Sequence, residues 1–151
     1  MNLFPINAGH FKLDGGAMFG VVPKSLWQRT NPADKDNLID VCARCLLIET
    51  NDRLILVDTG MGNKQSDKFF SYYKPWGEDN LLESITSTGF HPNDITDVLL
   101  THLHFDHCGG CFTWNKDHTL WCLYFQTQTI GQTSPIGSGQ PIQILVKRLL
   151  F

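Results

Sequence analysis

Thr101-His102-Leu103-His104-Phe105-Asp106-His107-Cys108-Gly109-Gly110 is the stretch on which the reading of this chain turns. It sets three imidazoles and one carboxylate within six residues. The run leading into it, Asp97–Thr101, is short and apolar and reads as a strand. In extended backbone, residues two apart project to the same side. His102, His104 and Asp106 are therefore expected to share one side, while the loop that follows turns His107 toward a neighbouring position. Imidazole nitrogen combined with carboxylate oxygen suits zinc, and also manganese or iron. Gly109 and Gly110 are expected to let the chain turn sharply beside an ion. A lone histidine is usually an ordinary surface or core residue; three of them directly after a buried strand point to a metal.

Working outward, Leu38–Glu49 and Leu54–Val57 read as two strands joined at Thr50-Asn51-Asp52-Arg53, a hairpin signal. The second is a continuous apolar run, as expected of a strand buried on both faces, and it ends in Asp58-Thr59-Gly60-Met61-Gly62. Asp79–Thr88 carries Leu81, Leu82 and Ile85 ahead of Gly89 and reads as a helix. Ala17–Val22 is a short apolar run closed by Pro23, and Ser25–Thr30 has room for one helical turn before Asn31-Pro32. Strands mixed with helices indicate an α/β (α+β) layered architecture.

The chain has 151 residues, enough for one domain with a buried core. Its formal charge of −3 argues against a nucleic-acid binder, and 42% hydrophobic residues argue against disorder. Five Cys without a visible secretory signal point to free thiols and a cytoplasmic setting. The charges are unevenly spread: residues 1–118 hold all 15 acidic and 10 of the 12 basic side chains. Residues 119–151 hold no acid, and their charges are Lys147 and Arg148. That stretch is too polar for a membrane span.

The ten residues quoted first match the His-x-His-x-Asp-His signature of the metallo-β-lactamase-fold hydrolases. Asp58-Thr59-Gly60 resembles that family's first motif. Leu13-Asp14-Gly15-Gly16-Ala17-Met18-Phe19-Gly20-Val21-Val22-Pro23-Lys24 is similar to a narrower branch, the quorum-quenching lactonases that open N-acyl-homoserine lactones. The resemblance covers residues 10 to 117 and implies half of an αββα sandwich, a mixed β-sheet with flanking helices. It implies that His102 and His104 bind one zinc ion and Asp106 and His107 a second, with manganese or iron as alternatives. Asp106 and Asp58 take the catalytic positions, Asp58 by hydrogen-bonding to the site rather than by ligation. Two such ions would share a hydroxide that attacks an ester or lactone carbonyl of a small molecule.

The same resemblance implies a later His, a bridging Asp and a final His. No His follows His118 and no acid follows Asp117; His10, His91 and His118 do not match those later motifs. Residues 1–118 are therefore read as the N-terminal part of such a domain, and 119–151 as an atypical uncharged tail. Reading the permitted codons of Tyr124–Phe151 from their third base allows Phe-Pro-Asn-Ala-Asn-Tyr-Trp, which suggests a frame shift at about residues 119–124. Weak metal binding and little turnover are expected of this chain by itself, and a catalytically inactive fragment is the alternative to a working hydrolase. Cys42-x-x-Cys45 and Cys108-x-x-Cys111 imitate a four-cysteine zinc or redox site, but positions three apart on a strand face opposite sides. A single Asp-Thr-Gly likewise falls short of an aspartic protease, which needs two. Met18, Phe19, Trp27 and Phe69–Tyr73 suit either an apolar substrate mouth or core packing.

Overall fold

The computed structural model describes residues 1–114, 120–122 and 144–147. Five strands form one sheet in the order β1 (Asn2–Asp14), β2 (Leu38–Glu49), β3 (Leu54–Val57), β4 (Asp97–Leu100) and β7 (Ile144–Lys147). A separate ribbon pairs β5 (Phe112–Trp114) with β6 (Leu120–Cys122). The sheet is mixed: β3 and β4 run parallel, and every other neighbouring pair is antiparallel. Parallel neighbours need a crossover, and here it contains helices α3 (Asp67–Tyr73) and α4 (Leu81–Ser87). The layered α/β architecture read from the sequence is the architecture found.

The two strands and hairpin expected over 38–57 form with those bounds. Thr50 closes the turn, its N–H donating to the Arg53 carbonyl at 2.8 Å. β3 is covered unequally, however. Leu54 and Leu56 are buried whereas Ile55 and Val57 are part-buried, so one face meets the core and the other is only half covered. The helix expected over 79–88 is α4, started by Asn80, whose side chain accepts the Glu83 N–H at 3.0 Å. Leu81 and Ile85 on α4 bury against Ile6, Cys45, Leu47, Leu56, Val98 and Leu100.

Of the elements that differ from expectation or were missed, three lie ahead of β4 and shape the core. β1 occupies the first fourteen residues, and its register shifts between Asn7 and His10, where Gly9 has φ +122°. The apolar run after Asp14 is a short helix, α1 (Gly15–Phe19), started by the Asp14 carboxylate accepting the Ala17 N–H. It is followed by α2 (Lys24–Trp27). α3 is the third; its Phe69, Phe70 and Tyr73 pack with Phe11, Ala43, Met61 and Phe105 in a second core cluster. Those three aromatics are part-buried against that cluster, and Tyr72 is exposed. Trp27 is buried and stacks on Phe19 at 4.9 Å, while Met18 is exposed.

Most of the stretch 119–151 lies outside the described residues, and so do His118 and the frame-shift expectation. No helix among the described residues is long and apolar enough to cross a membrane.

Candidate metal centre

The parallel pairing of β3 with β4 builds the site. Val57 pairs with Leu99, so both strands end on the same edge of the sheet. Asp58 leaves β3 beside Thr101 leaving β4, and the Asp58 N–H donates to the Leu99 carbonyl at 2.9 Å. Asp58 has φ +58°, a left-handed backbone that few side chains other than Asn and Asp adopt readily. This aims a nearly buried carboxylate across the strand ends. One oxygen accepts the Thr101 N–H at 2.8 Å; the other accepts the Thr101 hydroxyl at 2.7 Å and faces His107 Nδ1 at 2.8 Å.

Those contacts fix protons. A carboxylate only accepts, so the neutral His107 ring carries its hydrogen on Nδ1 and offers Nε2 as a lone pair. His107 Nε2 lies 3.5 Å from Asp106 Oδ2. The Thr101 hydroxyl has given its hydrogen to Asp58, so at 3.1 Å it accepts from His102 Nδ1. His102 Nε2 is then also a lone pair, and it lies 3.0 Å from His104 Nδ1. The His102 and His107 rings are in contact, their centroids 3.9 Å apart.

The donors thus fall into two pairs, His102 with His104 and Asp106 with His107. Two ligands held ~2.05 Å from a tetrahedral ion lie roughly 3.3 Å from each other. Both observed separations, 3.0 and 3.5 Å, bracket that value. Among the described residues, no three His, Cys, Asp or Glu side chains are grouped so as to hold one ion. The donor chemistry fits divalent cations, two donors at a time.

The expected extended geometry stops at His104. Phe105–Cys108 is a single helical turn, α5, so Asp106 is grouped with His107 by that turn rather than with His102 by strand alternation. Helix formation here is favoured because Phe105 then buries its ring against Phe69 and Tyr73, at 5.3 and 4.4 Å. The glycines also differ from expectation. Gly109 continues the helical backbone at φ −60°, so no special turn is needed there. A Cβ on Gly109 would instead strike the Met61 carbonyl, and one on Gly110 the Thr59 carbonyl. Two backbone segments dock here: the Thr59 N–H donates to the His107 carbonyl at 2.7 Å, and the Gly110 N–H to the Gly60 carbonyl at 3.0 Å. The Thr59 hydroxyl adds a bond to His107 O at 2.9 Å. Only the loop that presents Asp58 could require these small residues, and that pairing of distant segments leaves no local signal.

The cysteines stay outside the site. Cys42, Cys45, Cys108 and Cys111 are free thiols. Burial, reinforced by the neighbouring Asp58 charge, pushes the Cys45 thiol up to about 12 and keeps it protonated at neutral pH. His91 serves a turn, accepting the Asn93 N–H at 3.1 Å. His10 lies elsewhere, stacked on Trp76.

Residues 43–117 match the family model of the Metallo-beta-lactamase superfamily. An N-acyl homoserine lactonase of Bacillus cereus is 33% identical over 84 residues, 49% of this chain and 34% of that protein. The N-acyl homoserine lactonase AiiB of Agrobacterium fabrum is 30% identical over 116 residues, 71% of this chain and 41% of its own. A probable metal-dependent hydrolase from Staphylococcus aureus superposes with a TM-score of 0.68 at 38% identity, over 73% of this chain and 40% of that one. AidC, a dizinc quorum-quenching lactonase, superposes at 0.53 and 31% identity, over 78% of this chain and 37% of its own. The chain therefore spans between about a third and two-fifths of the length of these relatives. A sheet whose parallel strand ends carry Asp58-Thr59-Gly60 beside His102-x-His104-x-Asp106-His107, matched by this family model, makes the chain a member of the metallo-beta-lactamase superfamily.

Proposed function

We propose that this chain carries half of the metal centre of a hydrolase that opens an ester or lactone bond in a small molecule. His102 and His104 would hold one ion, and Asp106 and His107 the other. The observation that carries this reading is the pairing itself: two donor pairs, each at ligand spacing, follow the end of β4, beside the Asp58 that ends the parallel strand β3. A bound divalent ion such as zinc supplies a Lewis acid for the carbonyl and draws the pKa of water toward neutrality. Asp58 holds the proton on His107 Nδ1 and, through the Thr101 hydroxyl, orders His102 in the same sense. Its part is positioning. The names of the lactonase relatives favour a lactone over other esters, and AidC is described with bound N-hexanoyl-homoserine product.

A second reading, a metal-binding chain without turnover, is favoured by the absence of any three-donor group among the described residues. Catalytic zinc sites hold three protein ligands beside the reacting position. Equilibrium dialysis against zinc, with assays on an aryl ester and an N-acyl-homoserine lactone, separates the two. Zinc-dependent turnover lost in His102→Ala and His107→Ala establishes the hydrolase. Metal uptake without turnover establishes the second reading. No uptake, or uptake indifferent to both substitutions, rejects the site.

A further inference from the structure

A cleft of about 540 Å³ is lined in part by Thr59 and Gly110, the residues at which the Asp58–Met61 turn docks on the segment after α5. None of the proposed metal donors lines it. Its volume falls in the range of small-molecule sites, and part of its lining is apolar, including Met61, Phe70 and Leu81. Its rim is built differently. His10 stacks on Trp76 with centroids 4.4 Å apart and interplanar angle 27°, and its Nδ1 lies 3.4 Å from Asp79 Oδ2. The Trp76 N–H donates to the His10 carbonyl at 3.0 Å, which ties the two rings to one strand edge.

The charge on this rim is one-sided. Asp79 is the sole carboxylate among the described lining residues, and none of them is Lys or Arg. Its hydrogen-bond donor is the Asn7 amide, at 2.8 Å. His10 Nδ1, although close, is buried and makes no hydrogen bond. About half of the Asp79 side chain and nearly half of Trp76 remain exposed. A half-exposed carboxylate and a half-exposed indole, one face of which His10 covers, line the same apolar cleft and together are complementary to a cation with an apolar body.

We infer that this cleft binds an organic ammonium ion, its apolar portion against Phe70, Met61 and Leu81 and its charged head between Asp79 and Trp76. An arylalkyl ammonium ion of the phenethylammonium type has the required shape and charge. The site is separate from the hydrolytic reading and stands without it.

The test is titration of the full chain with phenethylammonium chloride, followed by tryptophan emission and calorimetry, against neutral 2-phenylethanol. The ammonium should bind saturably and about tenfold more tightly than the alcohol, as a paired and π-stacked charge provides. Asp79→Asn should erase that preference. Leu82→Lys, at an exposed position lining the same cleft, should weaken the ammonium about tenfold by charge repulsion while leaving the alcohol unchanged. Absence of saturable binding, or equal affinity for both probes, overturns the inference. So does a preference that survives both variants. If Asp79→Asn merely lowers the melting temperature because Asp79 holds Asn7 of β1, Leu82→Lys decides.

Discussion

At the scale of single residues, Asp58 does more than any histidine to define the centre. Its left-handed backbone costs on the order of 1–3 kcal/mol for most side chains, and its carboxylate spends three acceptor contacts on Thr101 and His107. Asn tolerates the same backbone, so Asp58→Asn isolates the acceptor role from the strain. The amide can still accept the Thr101 N–H, but its NH₂ group meets the Thr101 hydroxyl and His107 Nδ1 as a donor. The His107 hydrogen is then displaced to Nε2, the atom that faces Asp106. Zinc affinity should fall about 10–100-fold with the fold retained, measured by dialysis and by circular dichroism; unchanged affinity would show that Asp58 positions nothing. The histidines and Asp106 were legible from their spacing as a cluster of candidate donors. Their division into pairs was not, because it follows from where α5 begins, and that is decided by Phe105 finding Phe69 and Tyr73 across the chain. Cys45 gives a second residue-level prediction. Its thiol is pushed up to about 12 from an ordinary 9.0, first by burial and then by Asp58. The unfolded chain thus releases this proton at lower pH than the folded one, so the group's contribution is intact below pH 9 and is lost as pH rises toward 12. Urea midpoints at pH 8 and pH 11 should differ more for the wild type than for Cys45→Ala; equal differences would refute the assignment.

Among the elements, those whose pattern is local were readable and those whose pattern is interrupted were not. β2, β3 and α4 declare themselves through unbroken periodicity and a turn or cap at each boundary. β1 hides because its bulge changes phase. Phe4, Ile6 and Ala8 alternate toward the core, and after the shift at Asn7–His10 the inward positions become Phe11 and Leu13. Strict alternation is broken there, and Pro5 looks like a disqualification until β1 proves to be an edge strand. The docking of the Asp58–Met61 turn on α5 is equally nonlocal, and it makes a prediction. Gly110 carries a hydrogen bond to Gly60 and leaves no room for a side chain beside Thr59. Gly110→Ala should therefore lower stability by about 1–3 kcal/mol, the usual cost of forcing atoms into a packed interior. The Asp58–His107 contact should loosen with it, so zinc affinity should fall in the same variant. A urea midpoint equal to that of the wild type would mean the two segments separate freely and the docking is incidental.

For the molecule as a whole, covering is asymmetric. The helix side of the sheet is packed by α4 into a continuous core, whereas Leu46, Ile48, Ile55, Val57 and Leu99 on the other face are only part-buried. The chain spans about two-fifths or less of its relatives' length, and stability not supplied by this face has to come from elsewhere. An ion at the strand ends is one source. The donors sit after β4, and Asp58, which orders them, sits after β3, so a ligand that requires their native arrangement binds the folded state in preference to the unfolded one. Zinc at a hundredfold excess over its dissociation constant should stabilise the fold by about 2.7 kcal/mol, and a domain of this size should then melt roughly 5–15 °C higher. The gain should shrink in His102→Ala or His107→Ala, each of which breaks one pair, and vanish in the double substitution. Thermal melts followed by circular dichroism over a zinc titration measure all four proteins. A melting temperature that ignores zinc, or that rises equally in the doubly substituted chain, would show that cations bind elsewhere, since only the native pairing links metal uptake to the joint between β3 and β4.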